Sequence, residues 1–388
     1  MLLTERKRVC ILVFSDIVHD GRVLREVEYA RRYYEVDVLA HGQWNPPDGV
    51  RFFPLPRTTW SASPVSVALL LAGNRTSRAW EKYYWQRREY WDALDLLRNG
   101  RYDLIHANDL DTLPVAVKAA EGSNTRVLYD AHEYSLDAGG ESWRVLMRSP
   151  FHKYLLKTYG PKISAMITVA DGIRNLYRSH FQFDSKVIMN APYYREHEFR
   201  PVHPSHINLV HHGGAIPGRN IQDFISMMPM LDDRFHLQLM LVPVYRSYHA
   251  TLQHLAEKVA PDRIHFLTPV TPNQITDVVN RFDIGIPLMR VNKLSFFNAL
   301  PNKFFEYIMA GVAIAVSPLP EMERIVKEHK IGVISPGQSI DSMVKMLNGL
   351  SPDQINEFKR NSLSLAKTLN GDVELQKLMD IYAGLLSA

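Results

Sequence analysis

The chain has one cysteine in 388 residues, Cys10, so no disulfide framework can brace it. Cys10 lies in the apolar run Arg8-Val9-Cys10-Ile11-Leu12-Val13-Phe14, where packing outweighs reactivity. Long hydrophobic runs are missing too. The longest uncharged apolar stretch, Ala62 to Gly73, is well short of the ~20 residues a membrane-spanning helix needs. Arg6, Lys7 and Arg8 lead into a strand-length apolar run with no small-residue cleavage site, which reads as a cytoplasmic protein. No low-complexity tract and no repeat of solenoid length is present. No Gly-x-Gly-x-x-Gly follows Phe14 and no Gly-Lys-Ser/Thr follows Gly213-Gly214, which sets aside dinucleotide-binding dehydrogenases and P-loop NTPases. A Gly-x-Ser-x-Gly elbow is also absent, so nucleophilic hydrolysis lacks its signature.

Neither charge dominates: 45 Lys and Arg stand against 41 Asp and Glu, a formal net charge of +4. The excess is confined to residues 1–200, with 28 basic against 24 acidic side chains, while the rest balances at 17 and 17. Such a bias favours anionic partners. No nucleic-acid recognition motif accompanies it, so nucleic acid is not an expected partner.

What is abundant is hydrophobic sequence, at 46%, enough for a core in each of two domains. Short β-branched runs alternate with segments of helical period. Val9–Phe14 is followed by Gly21–Tyr34, then come Val36–Ala40, Leu104–Ala107 with Leu113–Ala120, Val127–Tyr129, Met166–Val169 and Val187–Met189. The pattern breaks over Asn190–His206, which holds three prolines, and restarts at Ile207–Val210, Leu237–Val242, Ile264–Leu267, Ile284–Leu288, Ala313–Val316 and Gly332–Ile334. The fold class expected is α/β, with two doubly wound parallel-sheet, Rossmann-like domains facing a cleft. The expected bounds are 1–192, a linker at 193–206, and 207–350, with C-terminal helices over 351–388 free to pack back toward the N-terminal domain. Residues just after each strand are then the ones to inspect for a ligand.

The segment Asn298-Ala-Leu-Pro-Asn-Lys-Phe-Phe-Glu-Tyr-Ile-Met-Ala-Gly311 carries the most chemistry. Pro301 suits the first turn of a helix, and the N–H groups after it, beginning at Asn302, form an anion site. Lys303 adds positive charge, and Glu306, one turn on, can accept two hydroxyls of a ribose. Taken alone, a helix with a surface Lys and Glu is the stronger reading.

Leu300–Gly311 resembles the donor-binding segment of glycosyltransferase family 4 and its relatives, which have the GT-B fold. Tyr102-Asp-Leu-Ile-His-Ala-Asn-Asp-Leu-Asp-Thr112, Tyr129-Asp-Ala-His-Glu133 and His211-His-Gly-Gly-Ala-Ile-Pro-Gly-Arg-Asn220 support the resemblance, in the right order along nearly the whole chain. It implies a nucleotide-diphosphate-sugar donor on the C-terminal domain, a glycan or lipid-linked acceptor mainly on the N-terminal domain, no metal or other cofactor, and retention of anomeric configuration. Glu306 matches the second glutamate of the family's Glu-x7-Glu motif, the residue that holds the donor ribose. The first glutamate falls at Asn298, where an amide would meet the sugar hydroxyls without charge assistance. Arg219 matches a diphosphate-binding lysine, and the usual Gly-Arg pair nearby is here Gly213-Gly214. His132 corresponds to a histidine beside the transferred sugar.

Asp16, His19, Gly21 and Arg22, in the loop after the first strand, are expected on the acceptor side, with Gly21 letting a backbone approach closely. Asp109 is placed there too, although Asp109-Leu-Asp111 precedes the helix at Leu113 and a capping role is the stronger reading. His132 with Glu133 or His106 has no metal-ligand spacing. Arg57–Arg101 holds eight basic and four acidic residues with Trp60, Trp80, Tyr83, Tyr84, Trp85, Tyr90 and Trp91. Trp143–Lys162 holds Arg144, Arg148, Lys153, Lys157 and Lys162 with no acid, beside Leu146, Met147, Phe151, Leu155 and Leu156. Both suit a peripheral contact with an anionic membrane, or ordinary surface helices with core-facing aromatics. A sugar-nucleotide epimerase of similar build and a non-catalytic nucleotide-sugar-binding protein are the competing readings.

Overall fold

The computed structural model describes residues 6–57, 63–136, 143–288, 297, 298 and 300–387, with the side chains of residues 143–147 outside that description. Trp60 and the side chains of Arg144, Leu146 and Met147 therefore lie outside the described residues. The chain divides into two compact units, one formed by residues 1–189 with 375–388 and the other by residues 190–374.

The first unit is built on a seven-stranded sheet. In chain order its strands are β1 (Arg8–Asp16), β2 (Glu35–His41), β3 (Val50–Pro54), β4 (Leu104–Asn108), β5 (Arg126–Ala131), β6 (Ala165–Thr168) and β7 (Lys186–Val187), and in space they run β3-β2-β1-β4-β5-β6-β7. All these pairings are parallel. Val9 to Leu12 of β1 are fully buried, as an apolar run between two neighbouring strands and under helices on both faces should be. The order reverses between β1 and β4, which makes their carboxyl ends the switch point where ligands of doubly wound sheets bind.

A six-stranded sheet organises the second unit: β8 (Ile207–Gly214), β9 (Phe235–Val242), β10 (Ile264–Leu267), β11 (Ile284–Gly285), β12 (Ala313–Val316) and β13 (Gly332–Ile334), ordered β10-β9-β8-β11-β12-β13 and again parallel. Here the switch point lies between β8 and β11. The core joins β8 and β9 through Leu209, Leu237 and Leu239 to Phe224 and Ile225 of the helix Ile221–Ser226.

Three differences from the sequence expectation have plain causes. β3 is an edge strand, half-buried and ending in a proline, so it has neither an apolar run nor clean alternation. β11 keeps only two residues of the expected Ile284–Leu288. Residues 351–388 do not act as one piece. The helix Pro352–Ala366 belongs to the second unit, where buried Lys359 donates to the Phe282 carbonyl at 2.9 Å and pairs with Asp283 Oδ1 at 2.8 Å. The helix Gly371–Ser387 passes into the first unit from Leu375 on, burying Tyr382 with its hydroxyl 2.6 Å from His106 Nδ1. Tyr29 donates to Gln376 Oε1 on the same helix at 3.1 Å.

Candidate functional site

In the first unit the residues that follow β4 and β5 converge on His132. Its Nε2 lies 3.2 Å from Asn108 Oδ1 and 3.2 Å from Asp130 Oδ2, and its Nδ1 is 3.4 Å from Asp109 Oδ1. Burial disfavours charge on this ring, but Asp130 and Asp109 outweigh it and push the pKa up to about 9, so His132 is an imidazolium at neutral pH. Asp109 reaches it from a left-handed backbone, φ 67°, rare for a non-glycine residue and frequent where a side chain must be aimed. Behind His132, buried Asp130 accepts from Arg22 Nε at 2.8 Å, and Arg22 Nε is also 3.1 Å from Glu26 Oε1. Burial opposes the Asp130 charge, yet Arg22 and then His132 hold its carboxyl well below the ordinary range. Glu26 moves the other way, because burial outweighs His106 and Arg22.

Glu26, Asp130 and His132 each bring a potential metal-ligand atom within 4.8 Å of the others. The Arg22 guanidinium already supplies a cation to both carboxylates, so the cluster reads as a buried ion-pair network that fixes His132.

In the second unit the chemistry gathers at the carboxyl end of β8. Gly213 has φ 132°, a conformation open to glycine, and a Cβ there would lie 3.2 Å from Lys303 Nζ and 3.8 Å from Arg219 Nη1. Both cations therefore converge on the same stretch of bare backbone. Lys303 and Glu306 come from the helix Asn302–Met309, whose N-cap, Pro301, provides no side-chain cap to the first turn. His211 donates from Nδ1 to the Ile286 carbonyl at 2.8 Å, which leaves Nε2 as the acceptor facing Lys303 Nζ at 3.4 Å. Burial, and next Lys303, keep His211 well below its usual pKa, and the same two causes bring His212 to about 3. His212 Nε2 is 3.3 Å from Glu306 Oε2. Burial, then Arg219, lower Lys303 to about 7 against the opposing pull of Glu306. Two cations, a carboxylate one turn on and the uncapped N–H groups of a helix form a site that accepts an anionic group next to hydroxyls.

Residues 26–192 match the family model described as glycosyl transferase 4-like domain. That match falls almost wholly within the first unit. No curated protein matches the chain by sequence. Sucrose-phosphate synthase from Thermosynechococcus elongatus superposes with a TM-score of 0.69 at 14% identity, over 98% of this chain and 100% of that one. A glycosyltransferase from Rickettsia africae gives 0.70 at 10% identity over 98% and 99%. The Anabaena HepE protein in complex with UDP and glucose gives 0.69 at 12% over 97% and 100%. The chain thus has the architecture of a GT-B-type glycosyltransferase.

The chain places the remaining sequence-predicted residues as follows. Asn298 is half-buried shortly before the helix that carries Glu306, and Asn302, exposed, accepts from Asn190 Nδ2 at 2.7 Å. Gly214 has an ordinary φ, and a side chain there would crowd Ile216 and Val244, each 3.2 Å from its Cβ position, which suits the absence of an arginine. Asp16 ends β1, with Oδ1 buried and 2.4 Å from the Cβ position of Gly42, so only a glycine fits opposite it. His19 is exposed on a 3-10 turn.

Three expectations need correction. Arg22 does not face an acceptor, because Asp130 and Glu26 draw it into the core. Gly21 has no positive φ and no crowding, the nearest atom to a Cβ being Arg25 Nη1 at 3.5 Å, so close backbone approach is not what it supplies; it opens the helix Gly21–Ala30 that Asp20 caps by accepting from Val23 N. Asp109 and Asp111 do not cap the helix Leu113–Ala120: its N-cap is Thr112, which turns its hydroxyl back to the Asn108 and Asp109 carbonyls.

Sequence reasoning did not single out His211, His212, Asp130 and Asn108. The signal for the first two was present, as consecutive histidines ending an apolar strand ahead of two glycines.

Proposed function

We propose that the protein is a retaining, metal-independent glycosyltransferase that moves a sugar from a nucleoside-diphosphate donor to a hydroxyl of a glycan or lipid-linked acceptor. The convergence of Lys303 and Arg219 on Gly213, with Glu306 one helical turn away, is the observation that carries this reading. In this mechanism the diphosphate lies on the first-turn N–H groups between the two cations, which neutralise its charge as it leaves. Glu306 takes the ribose hydroxyls and Asn298 a hydroxyl of the transferred sugar. His132, an imidazolium held by Asp130 and Asp109, donates to that sugar or to developing charge beside it. Nothing in this scheme needs a strong base, and the acceptor hydroxyl attacks on the face the diphosphate leaves. HepE, bound to UDP and glucose, is a neighbour in fold that makes a uracil nucleotide the first donor to try.

A membrane-side acceptor has separate support. The helix Pro64–Ala72 bears no charge and leaves Val65 64% and Leu71 50% exposed. Trp80, which donates to the Leu70 carbonyl at 3.0 Å, packs on Tyr154 of the helix Trp143–Tyr159, whose Arg148, Lys153 and Lys157 are exposed. An apolar patch next to cations fits an anionic bilayer surface. The aromatics read as membrane-facing from sequence are mostly not so: Tyr83, Tyr84 and Tyr90 are buried, as are Phe151, Leu155 and Leu156. Among the described residues no helix is long and apolar enough to cross a membrane.

The test is to incubate UDP-sugars with the protein in EDTA and to follow the anomeric protons by NMR. Slow release of UDP with the sugar's configuration kept supports the reading. Conversion to a different nucleotide sugar, or activity that returns only with added Mn²⁺ or Mg²⁺, contradicts it.

A further inference from the structure

Two neighbouring side chains of the helix Asn302–Met309 reach the carboxyl end of β8. One is Tyr307, fully buried, whose hydroxyl donates to the Val210 carbonyl at 3.3 Å. Its ring fits because β11 offers a glycine: a Cβ on Gly285, which pairs with Val210, would lie 2.5 Å from the Tyr307 ring. The other is Glu306. Its Oε2 lies 3.3 Å from Nε2 of His212, and the His212 ring packs edge-on to Tyr307 with centroids 5.2 Å apart.

The His212 side chain is 6% exposed, and its buried Nε2 has no aligned hydrogen-bond partner although it touches Glu306. Leaving a buried ring nitrogen unbonded is costly, and the Glu306 carboxylate is within reach of it. A carboxylate only accepts, so the nitrogen that faces it is the one carrying the proton. Burial, then the Lys303 cation, hold the ring at a pKa of about 3, and it therefore meets Glu306 as a neutral donor. An imidazolium would neutralise the carboxylate. A neutral N–H restrains one oxygen and leaves the negative charge to accept from hydroxyls. The Glu306 side chain, 17% exposed, is open to a ligand, while the buried His212 nitrogen acts on that ligand only through Glu306.

We propose that His212 is the positioning residue of the donor site: it fixes the Glu306 carboxylate in the orientation that accepts two vicinal hydroxyls, and so makes the site select a ribose over a deoxyribose. The proposal rests on the nucleoside-diphosphate reading of that site. When the hydroxyls hold Glu306 from one side, the Nε2–H contact closes to a hydrogen bond from the other, and a flexible side chain is ordered by groups already locked in place by packing. Tyr307 supplies that lock, since it braces the His212 ring and anchors the helix to β8.

Full-length protein is titrated calorimetrically with UDP, GDP and ADP and with the 2′,3′-dideoxy form of each. One ribonucleotide is expected to bind the wild type about tenfold or more tighter than its dideoxy form, as charge-assisted hydrogen bonds provide. His212→Phe, which keeps a ring against Tyr307 but no N–H, should remove most of that preference by weakening the ribonucleotide alone. His212→Gln, which returns an N–H at similar reach, should restore it. In the free protein, NMR of the ring nitrogens should show His212 as the Nε2–H tautomer, unchanged between about pH 5 and 8. A preference untouched in His212→Phe, an equal loss for both nucleotides, or an Nδ1–H tautomer would overturn the proposal. A wild type that binds none of the three ribonucleotides overturns the donor reading beneath it, whereas binding that ignores the ribose hydroxyls overturns this role alone.

Discussion

Lys303 is the residue that makes the proposed donor site pH-dependent. Burial, then Arg219, hold its pKa near 7 in the free protein, so around neutrality a large fraction is uncharged. A bound diphosphate favours the cation, and binding must therefore take up a proton. Between pH 7 and 9 the affinity for nucleoside diphosphate should fall as pH rises, by up to about tenfold per unit, while below pH 6 Lys303 adds no slope. Calorimetric titration across that range checks this, and Lys303→Met should flatten the profile; a flat wild-type profile contradicts it. Lys303, Glu306 and His132 could be singled out in the sequence because each lies in a short segment that resembles one of the family's motifs. His211 was not, since its tautomer is set by Ile286, 75 residues away, and Arg22 was misread because the carboxylate that buries it lies 108 residues along the chain.

Elements were legible where a strand is buried on both faces and opaque where it is not. β12 is a continuous apolar run and β1 contains one, Val9–Phe14, whereas β3, at an edge, has half-buried residues and a proline. The role of the helix Pro352–Ala366 was also out of reach of local pattern, because what fixes it is one long side chain. Lys359, buried, holds the Phe282 carbonyl and Asp283, and Asp283 Oδ2 in turn accepts from Asn208 N of β8 at 2.9 Å. Breaking a buried pair by removing one partner costs roughly 3–5 kcal/mol, since the other charge is left without compensation. Lys359→Ala should lower the urea midpoint of the second unit accordingly, while exposed Lys367→Ala should stay within about 0.5 kcal/mol of wild type. Equal midpoints for the two variants would show that the pair does not stabilise the unit.

At the scale of the whole molecule, the chain divides after Met189, near the expected linker, and the C-terminal helices that the sequence left free to pack back toward the N-terminal domain do so only from Leu375 on, where Tyr382 reaches His106. The exposed Val65 and Leu71 together with Arg148, Lys153 and Lys157 predict co-sedimentation with anionic liposomes, weakened by salt. At about 1 kcal/mol per basic residue near such a surface, replacing the three cations by glutamate should release the protein, and Leu71→Glu should weaken what remains. Equal sedimentation of wild type and variants would leave the patch as ordinary surface. The central claim concerns the donor: Lys303, Arg219 and Glu306 form one nucleoside-diphosphate site. It is tested most directly by calorimetric binding of UDP, GDP and ADP to the wild type, Glu306→Ala and the Arg219→Ala/Lys303→Ala double variant. One nucleotide should bind the wild type, about 10- to 100-fold more weakly to Glu306→Ala, and not measurably to the double variant, as the loss of charged hydrogen bonds requires. A double variant that binds that nucleotide as tightly as the wild type would contradict the account.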